Sequence, residues 1–201
     1  MRWKYLATVS LLALAVTGCG PAEDLTTVPA AVFDAATTAQ LTSNPLLADW
    51  TGPNGGQPAF DKMDLAQIKP AMEAGMAASL AEIDAIANNP ANPSFENTIV
   101  AMERTGEPLD RAMTYYSIWG SNLSTPEFRA IQGEMAPKLS EYQSRITQNA
   151  ALFARIKALH DDQAALKLTP HQARLLKLVY DRFQLNGAEL TGEKRDRYAA
   201  I

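Results

Sequence analysis

Apolar residues recur at helical spacing along most of the chain. Met72, Met76, Leu80, Ile83 and Ile86 follow one another three or four apart, which predicts a helix with one apolar stripe over residues 71–87. Asp64 and Gln67 offer a capping box ahead of it, and Pro70 sits early enough for the helix to tolerate or restart at it. Asn88-Asn89-Pro90 stops it. Ser94 is a natural N-cap for the next helix, with Glu96 in the first turn and Phe95, Ile99 and Met102 on one face. Gly106 and Pro108 break that helix, and Leu109 and Met113 carry the stripe onward. Thr125-Pro126-Glu127 opens a longer one, with Phe128, Ile131, Met135, Leu139, Tyr142 and Ile146 on its apolar face. Leu152, Phe153, Ile156 and Leu159 mark a shorter helix. Thr169 and Gln172 form a second box before Leu175, Leu176, Val179 and Phe183, which Asn186-Gly187 terminates. Thr191 is expected to cap a last helix that runs to Ile201. Strand-like alternation is missing over any useful length, so the pattern predicts an all-α fold.

The N-terminal part reads differently. Arg2 and Lys4 precede an apolar run from Leu6 to Val16, and small residues close it. That is the form of a secretory signal. The run is shorter than the roughly 20 residues a membrane-spanning helix needs. Cys19 is the only cysteine, so it has no internal disulfide partner. Val16-Thr17-Gly18-Cys19 resembles a bacterial lipobox, which implies cleavage before Cys19 and its acylation. Residues 20–43 are rich in Ala, Thr and Pro without Lys or Arg, and are expected to be a flexible tether. The Pro- and Gly-rich stretch after Asn44 argues against a regular element. Gly52-Pro53-Asn54-Gly55-Gly56 lacks the lysine and hydroxyl residue of a phosphate loop and reads as a turn. The expected organisation is a signal over 1–18, a lipid-attached tether over 19–43 and a helical region over 44–201.

Apolar residues make up 47% of the 201, enough for a core, and the formal charge of −4 gives no basic footprint for nucleic acid. Chemistry is sparse. There are two histidines, His160 and His171, and no H-E-x-x-H. Zinc catalysis needs about three protein ligands with an open position, so no catalytic or metal residue is assigned. His160-Asp161-Asp162 reads as a solvated helix end and His171 as a surface residue. Glu96 and Glu103, two helical turns apart, read as solvated charges rather than an acid–base pair. The aromatic cluster Thr114–Asn122 reads as core.

Six phrases then occur in order: NPLL at Asn44, PAFDKM at Pro58, IKPAMEAGM at Ile68, IANNPANPSFENTIVAMERTG at Ile86, APKLSEYQSRI at Ala136 and LFARIKAL at Leu152. Together they resemble the N-terminal region of the thimet-oligopeptidase-like zinc metallopeptidases, a family that includes bacterial peptidyl-dipeptidases and oligopeptidase A. The run Phe95-Glu96-Asn97-Thr98 is the most specific part. The resemblance implies a helical N-terminal lobe of a larger two-lobed enzyme that hydrolyses short peptides. It implies zinc in the full-length enzyme and none in this chain, which is expected to be inactive alone. The final helix, without a stop signal, reads as cut, so a truncated lobe is the expectation. The other reading is a stand-alone helical lipoprotein that binds a peptide or protein partner. In either case the chain is expected in the bacterial cell envelope, held to a membrane through Cys19.

Overall fold

A computed structural model describes residues 28–53 and 56–199. The signal sequence, Cys19 and the first part of the expected tether lie outside the described residues. Those described are helical: α1 (Ala35–Ser43), α2 (Leu65–Ala87), a π-helical turn (Phe95–Val100) running into α3 (Ala101–Glu103), α4 (Glu107–Asn122), α5 (Pro126–Thr147), α6 (Ala150–Asp161), α7 (Pro170–Leu185) and α8 (Glu193–Ala199). A 3-10 turn occupies Phe60–Lys62. Among the described residues the one extended pairing is an isolated bridge between Thr51 and Gln57, and the fold is all-α as the apolar spacing predicts.

Helix α2 lies at the centre and packs against α1, α4, α5 and α6. Its predicted stripe holds: Met72, Met76, Ile83 and Ile86 are buried, and Leu80 is partly so. The stripe is widened by small residues, Ala71, Ala74, Gly75, Ala78 and Ser79. They let α4 come close. A Cβ on Gly75 would stand 2.8 Å from the Leu109 Cα, so only glycine allows this approach. The helix runs unbroken through Pro70. At its start Asp64 accepts from the Ala66 N–H at 2.9 Å, but the box with Gln67 does not close. The Gln67 carbonyl instead accepts from the Asn44 side chain at 3.2 Å.

Two apolar clusters form the core. The first joins the N-terminal half of α2 to Leu46, Leu47, Leu109, Tyr115, Phe128 and Met135. The second joins Ile83 and Ile86 to Phe95, Ile99, Leu152, Ile156, Leu176 and Phe183. Ile146 touches both. The aromatic cluster in α4 is core, as expected: Tyr115 is buried, while Tyr116 and Trp119 lean on Phe128 with ring centroids 5.3 and 6.4 Å away.

Two local expectations need revision. Residues 35–43, expected to be part of a flexible tether, form α1 and pack on α2. Asp34 caps the helix by accepting from the Thr37 N–H at 2.6 Å, and Leu41 reaches the first cluster. Few large apolar residues are involved: Thr37 is buried, and buried Asn44 donates to the Gln40 side chain and to the Gln67 carbonyl of α2. The last helix starts at Glu193 rather than next to Thr191. Gly192, in the left-handed region at φ 55°, accepts the Arg195 N–H through its carbonyl.

Candidate functional site

The most specific run of sequence, Phe95-Glu96-Asn97-Thr98, follows a loop from Asn88 to Ser94 to which it is tied by side-chain hydrogen bonds. Pro90 and Pro93 prevent a helix before Ser94, so the backbone groups of that loop need other partners. Ser94 accepts from the Asn97 N–H at 3.0 Å, and the Asn97 side chain accepts from the Ser94 N–H at 2.8 Å. This is a capping box closed by an amide. Asn97 also donates to the Asn92 carbonyl at 3.0 Å.

Arg155, from the middle of α6, enters this loop. One guanidinium nitrogen donates to the carbonyls of Asn89 and Ala91, at 2.9 and 3.0 Å. The other donates to Asn97 Oδ1 at 2.8 Å. The residue is 6% exposed and has no carboxylate partner among the described residues. Its burial holds the guanidinium below its usual pKa. Carbonyl dipoles take the place of a counter-ion, and the planar fork of arginine suits three acceptors spread over nine residues.

Beside the clamp, between α2 and the segment Phe95–Thr105, is a cavity of about 220 Å³. Val28, Pro29 and Ala31 line it, and Ala85, Ile86 and Ala101 add apolar lining from α2 and α3. Glu82, Glu96 and Arg104 bring charges to it. Glu82 accepts from the Gly106 N–H at 2.7 Å. Gly106 is left-handed at φ 82° and opens α4, so the carboxylate also sits at a helix N-terminus. Burial raises the Glu82 pKa, the Gly106 hydrogen bond lowers it, and nearby Glu107 raises it again, with a net upward direction.

Other residues singled out in the sequence do not converge. Glu96 and Glu103 line different cavities; the second also holds Arg182, Gln143 and Tyr142. His160 is not a solvated helix end. Its ring lies flat on Tyr180 with centroids 3.9 Å apart, and its Nδ1 is 3.7 Å from an Asp161 oxygen. Tyr180 donates to Glu189 at 3.0 Å. His171 is exposed in the first turn of α7, whose Thr169–Gln172 box forms as expected. Among the described residues no three His, Cys, Asp or Glu side chains are placed to hold a metal ion. At the phosphate-loop look-alike, Asn54 and Gly55 lie outside the described residues, and Gly56 adopts φ 94° beside Gln57, which bridges to Thr51. Cys19 also lies outside them.

Comparison with known proteins gives a consistent result. The family described as Neurolysin/Thimet oligopeptidase, N-terminal domain, matches residues 71–195. Dipeptidyl carboxypeptidase of Escherichia coli (strain K12) is 35% identical over 149 residues, covering 74% of this chain and 22% of that protein. Its counterpart in Salmonella typhimurium is 31% identical over 161 residues, 80% of this chain and 24% of the relative. Oligopeptidase A of Salmonella typhimurium is 26% identical over 159 residues, 79% of this chain and 23% of the relative. The chain thus spans less than a quarter of the length of these relatives.

Proposed function

Because the chain belongs to the neurolysin/thimet oligopeptidase family and carries its N-terminal domain, we propose that it forms the helical wall of a lipid-anchored zinc peptidase acting on short peptides. The observation that carries this reading is the family match from within α2 into α8, across both core clusters. The named relatives are peptidases. The wall's part is mechanical. Two interlocked apolar clusters, the Arg155 clamp and the cross-helix pairs Lys69–Glu134 and Lys138–Glu73 between α2 and α5 give a rigid surface for a substrate channel.

The described donor set does not fit a catalytic zinc. One histidine is stacked on a tyrosine and the other stands exposed on α7, whereas such a site needs about three converging ligands. No step of hydrolysis is assigned to these residues, and zinc belongs to the remainder of a full-length enzyme. Export and acylation at Cys19 complete the proposal. No helix among the described residues is long and apolar enough to cross a membrane. Acyl chains contribute about 0.8 kcal/mol per buried CH₂, and more than one chain is needed for stable anchoring.

A chimera tests the wall. Residues 64–195 replace the corresponding region of the Escherichia coli relative, and dipeptide release from a short peptide is followed with and without chelator. Retained, chelator-sensitive release is the expected result. A folded chimera that releases nothing overturns it and favours a helical lipoprotein that binds a partner without catalysis. The anchor is tested separately with labelled palmitate: label should enter the natural chain and be lost in Cys19→Ser.

A further inference from the structure

The cavity between α2 and Phe95–Thr105 has unused charge. Glu82 is half-buried there, and its one hydrogen bond comes from the Gly106 N–H. No cation pairs with it among the described residues, and Glu107 adds negative potential nearby. Glu96 reaches the same space, also without an ion-pair partner among the described residues. Arg104 supplies a single guanidinium, likewise unpaired. The same cavity is lined by the apolar residues Ala85, Ile86 and Ala101. At about 220 Å³ the space is smaller than the roughly 300 Å³ at which drug-sized pockets begin.

We propose that this cavity binds a small zwitterion, an apolar amino acid or dipeptide, with its ammonium on Glu82 and Glu96 and its carboxylate on Arg104. A carboxylate held half out of water without a counter-charge is disfavoured, and an arriving ammonium compensates it. The guanidinium is matched in shape to the ligand's carboxylate. The apolar lining takes the side chain, and Val28, Pro29 and Ala31 restrict length. Val28 itself packs on the second core cluster, so that part of the lining is tied to the fold. This inference goes beyond the proposed function, since binding here needs no peptide hydrolysis and no metal.

The test uses the full chain in detergent micelles, titrated with alanyl-leucine and with leucine while the backbone amides of Ala85, Thr105 and Gly106 are followed by NMR. Saturable shifts with a dissociation constant of about 1 mM or tighter are expected for at least one of them. N-acetyl-alanyl-leucine lacks the ammonium and alanyl-leucine amide lacks the carboxylate. Each should bind at least about tenfold more weakly, the cost of one lost charged hydrogen bond. Glu82→Gln keeps an acceptor for the Gly106 N–H and should reduce the preference for the free amine, which Glu96 then supports alone. Arg104→Gln should erase the preference for the free carboxylate. Absence of saturable shifts with either probe, or equal binding of the blocked dipeptides by the natural chain, overturns the proposal without reference to either variant's folding.

Discussion

Replacing Arg155 by methionine should destabilise the domain by about 3 kcal/mol. Methionine fills much of the same volume, so the apolar part of α6 stays packed. What is lost is the clamp: the acceptors at Asn89, Ala91 and Asn97 lose their donor. Each buried acceptor left unsatisfied costs about 1–3 kcal/mol. Ala91 is exposed and Asn97 Oδ1 keeps its bonds from the Ser94 N–H and the Thr98 hydroxyl, so the whole loss is set at the upper figure for one acceptor rather than three times it. The desolvation of the guanidinium is relieved at the same time, which also keeps the total from rising further. For a domain of this size 1 kcal/mol shifts the melting temperature by about 2–4 °C, so the loss should be roughly 6–12 °C. Urea unfolding supplies the free energy, and hydrogen exchange shows where it is lost: amides 88–98 should exchange faster while those of α4 do not. Arg155→Lys keeps the charge but not the fork, and should recover only part. A change in Arg155→Met within about 0.5 kcal/mol would refute the clamp, since that is the scatter of ordinary surface substitutions.

Gly75→Ala should be destabilising by about 1–2 kcal/mol in a urea melt. Overpacking against the Leu109 backbone outweighs the roughly 1 kcal/mol helix preference of alanine; an unchanged or raised midpoint would contradict the close approach. Glu82→Gln should stabilise the chain at neutral pH and have little effect in acid. The folded pKa lies above its ordinary value of 4.5, so ionisation costs stability as pH rises from the unfolded pKa through the folded one, and the amide avoids that loss; melts of both proteins at pH 4 and pH 7 check the sign. The purified 201-residue chain should hold no stoichiometric zinc and cleave no short peptide, as read by metal analysis and a peptide assay with added zinc. Chelator-sensitive cleavage would mean that His160 and His171 belong to a site after all.

Much of the fold was legible because its signals are local. The cap at Ser94, the box at Thr169, the break at Gly106-Glu107-Pro108 and the stripe on α2 all depend on residues within a turn or two of each other. Arg155 was not legible. In Leu152–Leu159 it occupies a gap between apolar positions, as a solvated arginine would, and its acceptors lie 58 to 66 residues away. His160 was misread for a similar reason, since its ring partner comes from the next helix. Helix α1 was hidden by composition: alanine and threonine make a weak stripe, and its docking rests on hydrogen bonds at Asn44 rather than on large side chains. The cavity gave no sequence signal either, because Glu82, Glu96 and Arg104 look like ordinary exposed helix charges until α2 and the π-helical turn lie side by side.

Helix α2 carries buried residues of both clusters, Ile68 and Met72 towards one end and Ile83 and Ile86 towards the other. Its 23 residues make a shaft about 35 Å long. Keyed at both ends, it has no freedom to spin or slide. Advancing it by one residue would rotate it about 100° and pull all four side chains from their seats together. It is therefore built as a strut rather than a hinge, running from the loop held by Arg155 to the seats against α4 and α5.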